Sequence, residues 1–137
     1  MDSSLQQSML ISASGLKAQT TRMRIIAENL ANSNSVASTP DQDPYRRKLV
    51  TFDNVLDREL GIEQVKVDKV EFDKSDFGKR YDPGHPGANA QGYVSTTNVR
   101  SMIEAMDMTQ ARRTYQANLN AIEAVKSMSI RTLSLLR

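Results

Sequence analysis

The chain has 137 residues, of which 39% are apolar and 5% aromatic with no Trp, so a single domain fits, but a large compact core is excluded in favour of burial between long helices or against other subunits. The absence of Cys excludes disulfide scaffolds and thiolate sites, no apolar run approaches the roughly 20 residues of a membrane span, and Met1-Asp2-Ser3-Ser4 lacks the basic start and apolar stretch of a secretory signal. The net charge of +2 is spread as +1 over residues 1–30, −2 over 31–98 and +3 over 99–137, too dispersed for a nucleic-acid footprint.

From Ser4 to Ala31 the sequence predicts one long helix. Leu5, Met9, Ser12, Leu16, Gln19, Met23, Ile26 and Leu30 alternate steps of four and three, which is a heptad seam carrying polar residues. No Pro interrupts it, and its one Gly, Gly15, either weakens the helix or admits a close neighbour. Asn29, Asn32 and Asn34 with Ser33 and Ser35 predict a turn-forming end.

The middle of the chain changes period. Leu49-Val50-Thr51-Phe52 favours a strand. Val65 and Val67 alternate, as do Val70 and Phe72, with a parity slip that a bulge near Asp68-Lys69 would explain. Charged residues at the alternate positions predict a half-exposed hairpin arm. Phe77-Gly78-Lys79 reads as a turn, and Tyr81-Asp82-Pro83-Gly84-His85-Pro86-Gly87-Ala88 as a rigid irregular stretch.

The last segment, from about Val99 to Leu136, holds neither Gly nor Pro. Met108, Ala111, Tyr115, Asn118, Ile122, Val125, Ser129, Thr132 and Leu136 repeat the three-four alternation. The expected fold is therefore mainly α. Residues 1–34 and 99–137 form one coiled-coil core domain, and residues 35–98 form a small extended or β-hairpin insertion between the helices. Both seams are diluted with Ser, Gln, Asn and Thr, so each helix alone is expected to be marginal in water.

Nothing in the sequence supports catalysis, a cofactor, a metal or a small-molecule substrate. His85 is the single histidine, and its expected role is a ring hydrogen bond within a tight loop. No Gly-x-Ser-x-Gly elbow, Walker loop or dinucleotide fingerprint occurs. Asp57 with Glu59 and Asp73 with Asp76 read as solvated faces. The basic doublets Arg46-Arg47-Lys48, Lys79-Arg80 and Arg112-Arg113 lie near Tyr45, Tyr81 and Tyr115, but they are scattered among acids, which suits protein contacts better than nucleic acid.

Several of these blocks also carry a family resemblance. Ser14-Gly15-Leu16-Lys17-Ala18-Gln19 followed by Ala27-Glu28-Asn29-Leu30-Ala31-Asn32 resembles the N-terminal signature of bacterial flagellar rod and hook axial proteins. Pro44-Tyr45-Arg46-Arg47-Lys48, Tyr81-Asp82-Pro83-Gly84-His85-Pro86, Gly92-Tyr93-Val94, Ala111-Arg112-Arg113-Thr114-Tyr115-Gln116-Ala117-Asn118 and Lys126-Ser127-Met128 narrow the resemblance to the proximal-rod members. Two places depart from it. Thr97 precedes Asn98 where the family usually has Pro, and Asp41-Gln42-Asp43 precedes Pro44 where it has a glycine-containing turn.

The resemblance implies a structural subunit of the basal-body rod in the periplasm, sent through the flagellar type III export apparatus without a cleaved signal. Its implied partners are other rod proteins and copies of itself, with the rod-base adaptor and the MS ring by proximity. Met9, Leu16, Met23, Ile26, Leu30, Tyr115, Ile122, Val125 and Leu136 are the expected packing face between subunits. Arg46, Arg47, Tyr81, His85 and Tyr93 are the expected loop contacts. The competing expectation is a stand-alone coiled-coil adaptor or secretion chaperone using the same seams.

Overall fold

A computed structural model of the chain describes residues 2–135. They form α1 (Asp2–Ala31), β1 (Lys48–Asp57), β2 (Ile62–Phe72), β3 (Gly78–Tyr81), β4 (Tyr93–Thr96) and α2 (Ser101–Leu135). Two long terminal helices and a β insertion are the architecture that the periodicities predict. At about 1.5 Å per residue, a helix the length of α2 extends roughly 50 Å.

The strands make two separate two-stranded sheets, β1 with β2 and β3 with β4. β1 runs on past Phe52 to Asp57, and β2 is unbroken. Within β2, Val65 and Val67 are half-buried, whereas Val70 and Phe72 are 43% and 60% exposed. The parity slip thus accompanies a change in exposure, as a one-residue shift in alternation requires.

β3 and β4 are antiparallel, with Gly78 opposite Thr96 and Tyr81 opposite Tyr93. The turn expected at Phe77-Gly78-Lys79 is therefore corrected: the strand begins there. Gly78 is needed for closeness rather than for turning, since a Cβ on it would lie 2.4 Å from Thr96 Oγ1. Residues 35–37 extend this sheet. Val36 bridges Thr96, Ala37 N–H donates to Ser95 O at 2.9 Å, and Thr97 N–H donates to Ser35 O at 3.1 Å. A proline at position 97 could not make that last bond. Thr97 also accepts Val99 N–H on its hydroxyl at 3.2 Å, so the lead-in to α2 is held by hydrogen bonds where a fixed φ is missing.

The chain divides into two compact units, one drawn from three stretches and the other from two. One comprises Met1–Met23, Thr51–Lys69 and Thr109–Arg137; the other comprises Arg24–Val50 and Val70–Met108 with their enclosed elements. In the first, Gly15 lets α1 and α2 approach closely: a Cβ there would meet Asn118 Nδ2 at 2.7 Å. From residue 109 to 135 of α2, the residues withdrawn from solvent are Ala111, Tyr115, Asn118, Leu119, Ile122, Val125, Ser129 and Thr132, which is the expected seam plus Leu119. Yet among the described residues the buried apolar side chains of this unit are Ala18, Ile62 and Ala111, and Gln19 Oε1 is buried with no hydrogen-bond partner. The second unit buries Ile25, Ile26, Ala37, Val94 and Val99 together with Asn29, Thr97 and Glu104.

The irregular stretch after β3 is rigid for identifiable reasons. His85 N–H donates to Asp82 O, Ala88 N–H to His85 O, and Gly87 N–H to His85 Nδ1 at 3.0 Å. Gly87 lies against residue 37, where a Cβ would come within 2.1 Å of the Ala37 carbonyl oxygen. Backbone cannot yield as a side chain can. Gly87→Ala should therefore destabilise the unit by about 1–3 kcal/mol, the usual cost of overpacking. Gly84→Ala, which meets nothing within 4 Å, should change stability little in the same denaturant titration.

Candidate functional site

The densest chemistry lies in the second unit, around a carboxylate that is withheld from water. Glu104 sits in the first turn of α2 at 1% exposure. A buried carboxylate stays charged only with strong partners. Arg47 Nε donates to Glu104 Oε1 at 2.5 Å, and Asn29 Nδ2 donates to Glu104 Oε2 at 3.0 Å. Glu104 is one step of four before Met108, so it continues the α2 seam at its N-terminal end.

Asn29, itself 1% exposed, spends its whole amide here. Its Nδ2 also donates to Lys48 O at 2.9 Å. Its Oδ1 accepts from Lys48 N–H at 3.0 Å and from Tyr45 Oη at 2.9 Å. The side chain thus pairs with both backbone groups of Lys48, as a neighbouring strand would, and the end of α1 is fastened to the start of β1. Burial pushes the Tyr45 phenol above its ordinary pKa, against the pull of Lys48.

Arg47 reaches two more carboxylates, Asp73 Oδ2 at 3.3 Å through Nη1 and Asp107 Oδ2 at 3.4 Å through Nη2. Burial works against its charge, but the hydrogen bond and field of Glu104, followed by those of Asp73, hold its pKa above the ordinary value. Asp73 lies below the usual carboxylate range because the backbone N–H of Ser75 donates to it at 2.8 Å, with Ser75's side chain and Arg47 adding to the effect. Asn98 closes the ring. Its Oδ1 accepts Arg47 N–H at 2.7 Å, and its Nδ2 faces Asp73 O, Ser75 O and Ser75 Oγ at 3.1–3.2 Å. On the flank, Lys48 Nζ pairs with Glu28 at 2.9 Å; that bond raises the lysine and lowers the carboxyl.

These groups form a structural clamp of charged and amide side chains. Among the described residues, no group of three or more His, Asp or Glu side chains is arranged to hold a metal ion.

Tyr45, Arg47 and Lys48 of the Pro44–Lys48 block are thereby accounted for. Comparison with known proteins gives the chain a family. Residues 9–37 match the family described as "Flagella basal body rod protein", and residues 90–135 match "Flagellar basal body rod FlgEFG protein C-terminal". The flagellar basal-body rod protein FlgC of Agrobacterium fabrum is 47% identical over 93% of this chain and 91% of its own length. FlgC of Salmonella typhimurium is 40% identical over 91% and 92%, and that of Bacillus subtilis 36% over 93% and 95%.

The chain belongs to the FlgC family.

Its function is that of a structural subunit of the flagellar basal-body rod, and it is not an enzyme. The relatives decide between the two structural expectations in favour of the rod and against the stand-alone adaptor.

The expected packing residues occupy varied environments. Ile26 is buried at 5% exposure. Leu16, Met23, Leu30, Tyr115, Ile122 and Val125 are half-buried, Met9 is 37% exposed, and Leu136 lies outside the described residues. Of the expected loop contacts, Arg47 is committed to the clamp. Arg46 donates to Asp73 O and Ser75 O, and its guanidinium lies 4.1 Å from the Phe77 ring centroid. His85 Nδ1 accepts Gly87 N–H within its own loop at 3.0 Å. Tyr81 and Tyr93 stack edge-on at 5.3 Å and are 66% and 44% exposed.

The reading of Asp73 as a solvated face is corrected: it is half-buried against Arg47 and Ser75. Asn29, Tyr45, Asn98 and Glu104 carry the clamp although none of them is among the expected packing or loop-contact residues. The signal that marks Glu104 is the α2 seam extended one step towards the N-terminus, where it meets a charge.

Glu104→Ala removes the acceptor of Arg47 Nε and one acceptor of Asn29 Nδ2 and should cost about 3–5 kcal/mol, the range for breaking one partner of a buried pair. Arg24→Ala, which removes an exposed pair with Glu28, should cost little by the same thermal unfolding. The pH dependence follows from the shifts. The lowered Asp73 and Glu28 contribute stability above the ordinary carboxylate range, which is lost as pH falls through their folded values. The raised Lys48 and Arg47 contribute stability that is lost only as pH rises through theirs. Stability should therefore be flat from about pH 5 to about pH 9 and fall on either side.

Proposed function

We propose that the chain builds the proximal part of the rod, the drive shaft that carries torque, by packing head-to-tail with copies of itself and with other rod proteins in a helical array. The observation that carries this reading is the thin interior of the unit holding most of α1 and α2. Its buried apolar side chains are Ala18, Ile62 and Ala111, while Met128, Ile130, Leu133 and Leu135 are 56–87% exposed. Apolar surface of that extent on a helix calls for covering neighbours. Heterologous contacts whose rotation does not close generate open helical arrays.

In this reading residues 1–34 and 99–137 form a coiled-coil core that enters a tube of helices. Residues 35–98 make an extension that locks orientation against torque. The half-buried seam side chains Leu16, Met23, Leu30, Tyr115, Ile122 and Val125, with Ile26, the more exposed Met9, and Leu136, complete their burial there. Tyr81, Tyr93 and His85, with Arg46 and Arg47, contribute the loop contacts. The rod-base adaptor and the MS ring are neighbours by position. The chain reaches the periplasm through the flagellar type III export apparatus without a cleaved signal. Passage through an export channel requires an unfolded chain, and a sparsely buried helical unit opposes unfolding less than a large core does.

Ile122→Asp places a charge on the seam, at a cost of several kcal/mol if the site is dry in the assembly. The variant should be missing from isolated basal bodies, and cells producing it should not swim. Rods of normal composition in such cells would remove the seam from the assembly interface.

A further inference from the structure

In the unit formed by Met1–Met23, Thr51–Lys69 and Thr109–Arg137, two surfaces of opposite character stand on the same hairpin. One is a cleft of about 460 Å³ between α1 and β2, floored by Leu10, Ala13, Val65 and Val67 and carrying Lys17 and Lys66; no carboxylate lines it. The other is the hairpin tip. Residues 53–63 hold Asp53, Asp57, Glu59 and Glu63 against the single cation Arg58. There Leu56 and Leu60 are 56% and 41% exposed, with Glu59 and Glu63 exposed beside them.

The tip is a built structure rather than a loose loop. Asp57 Oδ1 accepts the N–H groups of Glu59 and Leu60 at 3.1 and 3.2 Å. Gln7 Nε2 donates to Leu60 O at 3.0 Å, which holds the tip against the first turns of its own α1. It therefore presents apolar side chains with an acidic surround, and the cleft presents an apolar floor with two ammonium groups.

We propose that the hairpin tip of one copy docks in the α1–β2 cleft of a second copy, Leu56 and Leu60 meeting the apolar floor and Glu59 and Glu63 meeting Lys17 and Lys66. Charge complementarity selects this occupant: an acidic, apolar knob fits a basic, apolar cleft, and like-charge alternatives are penalised. Tip and cleft are different surfaces, so each docking leaves a free tip at one end and a free cleft at the other. Such a contact extends a row of subunits and does not close a dimer. The inference deepens the rod-subunit reading and rests on it.

The absence of cysteine makes the test clean. Cells produce two full-length, differently tagged copies, one carrying Ala13→Cys and the other Leu56→Cys. No chain can then form an internal disulfide. Basal bodies are isolated, oxidised and run without reductant. A mixed disulfide joining the two tagged forms is expected. Both copies present in basal bodies without that band would overturn the docking while leaving the rod reading intact. Absence of the unmodified chain from basal bodies would overturn both.

A charge exchange gives a second measure that needs no cysteine. Lys17→Glu with Lys66→Glu should reduce incorporation into basal bodies by about tenfold or more. Adding Glu59→Lys and Glu63→Lys to the same chain should restore it. Undiminished incorporation of the first variant, or no rescue by the second pair, contradicts the docking.

Discussion

The second unit depends on one demand: the Glu104 carboxylate is closed off from water and must be satisfied by protein. One oxygen takes Arg47, the other takes Asn29, and each of those residues brings further chain with it. Asn29 ties the last turns of α1 to Lys48 and Tyr45; Arg47 ties the start of β1 to Asp73, Asn98 and α2. The end of α1, the start of β1, the start of α2 and the segments around Asp73 and Asn98 are thus fixed by a single connected set of hydrogen bonds. Replacing such a cluster with apolar residues can leave a protein equally stable, whereas breaking one member strands the others. Its value lies in allowing one arrangement of the helix ends.

The other unit follows the opposite strategy. Its helices meet at Gly15 and Asn118, its buried apolar residues are mostly small, and a polar atom of Gln19 is buried without a partner. An unsatisfied buried acceptor costs about 1–3 kcal/mol, a large share of a small unit's stability. A rod subunit benefits from this division. One part fixes the local geometry around the helix ends, and in the proposed assembly the part that enters the helical tube gains most of its stability from neighbours.

Periodicity made the helices legible, because a seam of threes and fours needs only the sequence to be seen; over residues 109–135 the withdrawn positions are that seam with Leu119 added. The clamp was not legible in the same way. Asn29 looks like one of a run of turn-forming residues, and its identity as a two-point partner of Lys48 depends on a contact 19 residues away. Asp73 looks solvated among lysines until Arg47, 26 positions distant, is placed beside it. Gly78 suggests a turn because glycine often marks one, whereas here it makes room for Thr96 across a ladder. Local signals report local structure, and polar networks are long-range by construction.

The central claim is that one unit is self-sufficient and the other is completed by assembly. Residue-level hydrogen exchange on the dilute full-length chain, compared with the same chain in isolated basal bodies, tests it most directly. Amides of residues 25–31, 93–97 and 104–108 should be protected in both states, whereas residues 4–23 and 109–135 should exchange quickly in solution and slowly in basal bodies. Equal, strong protection of residues 109–135 in the dilute chain would contradict the account.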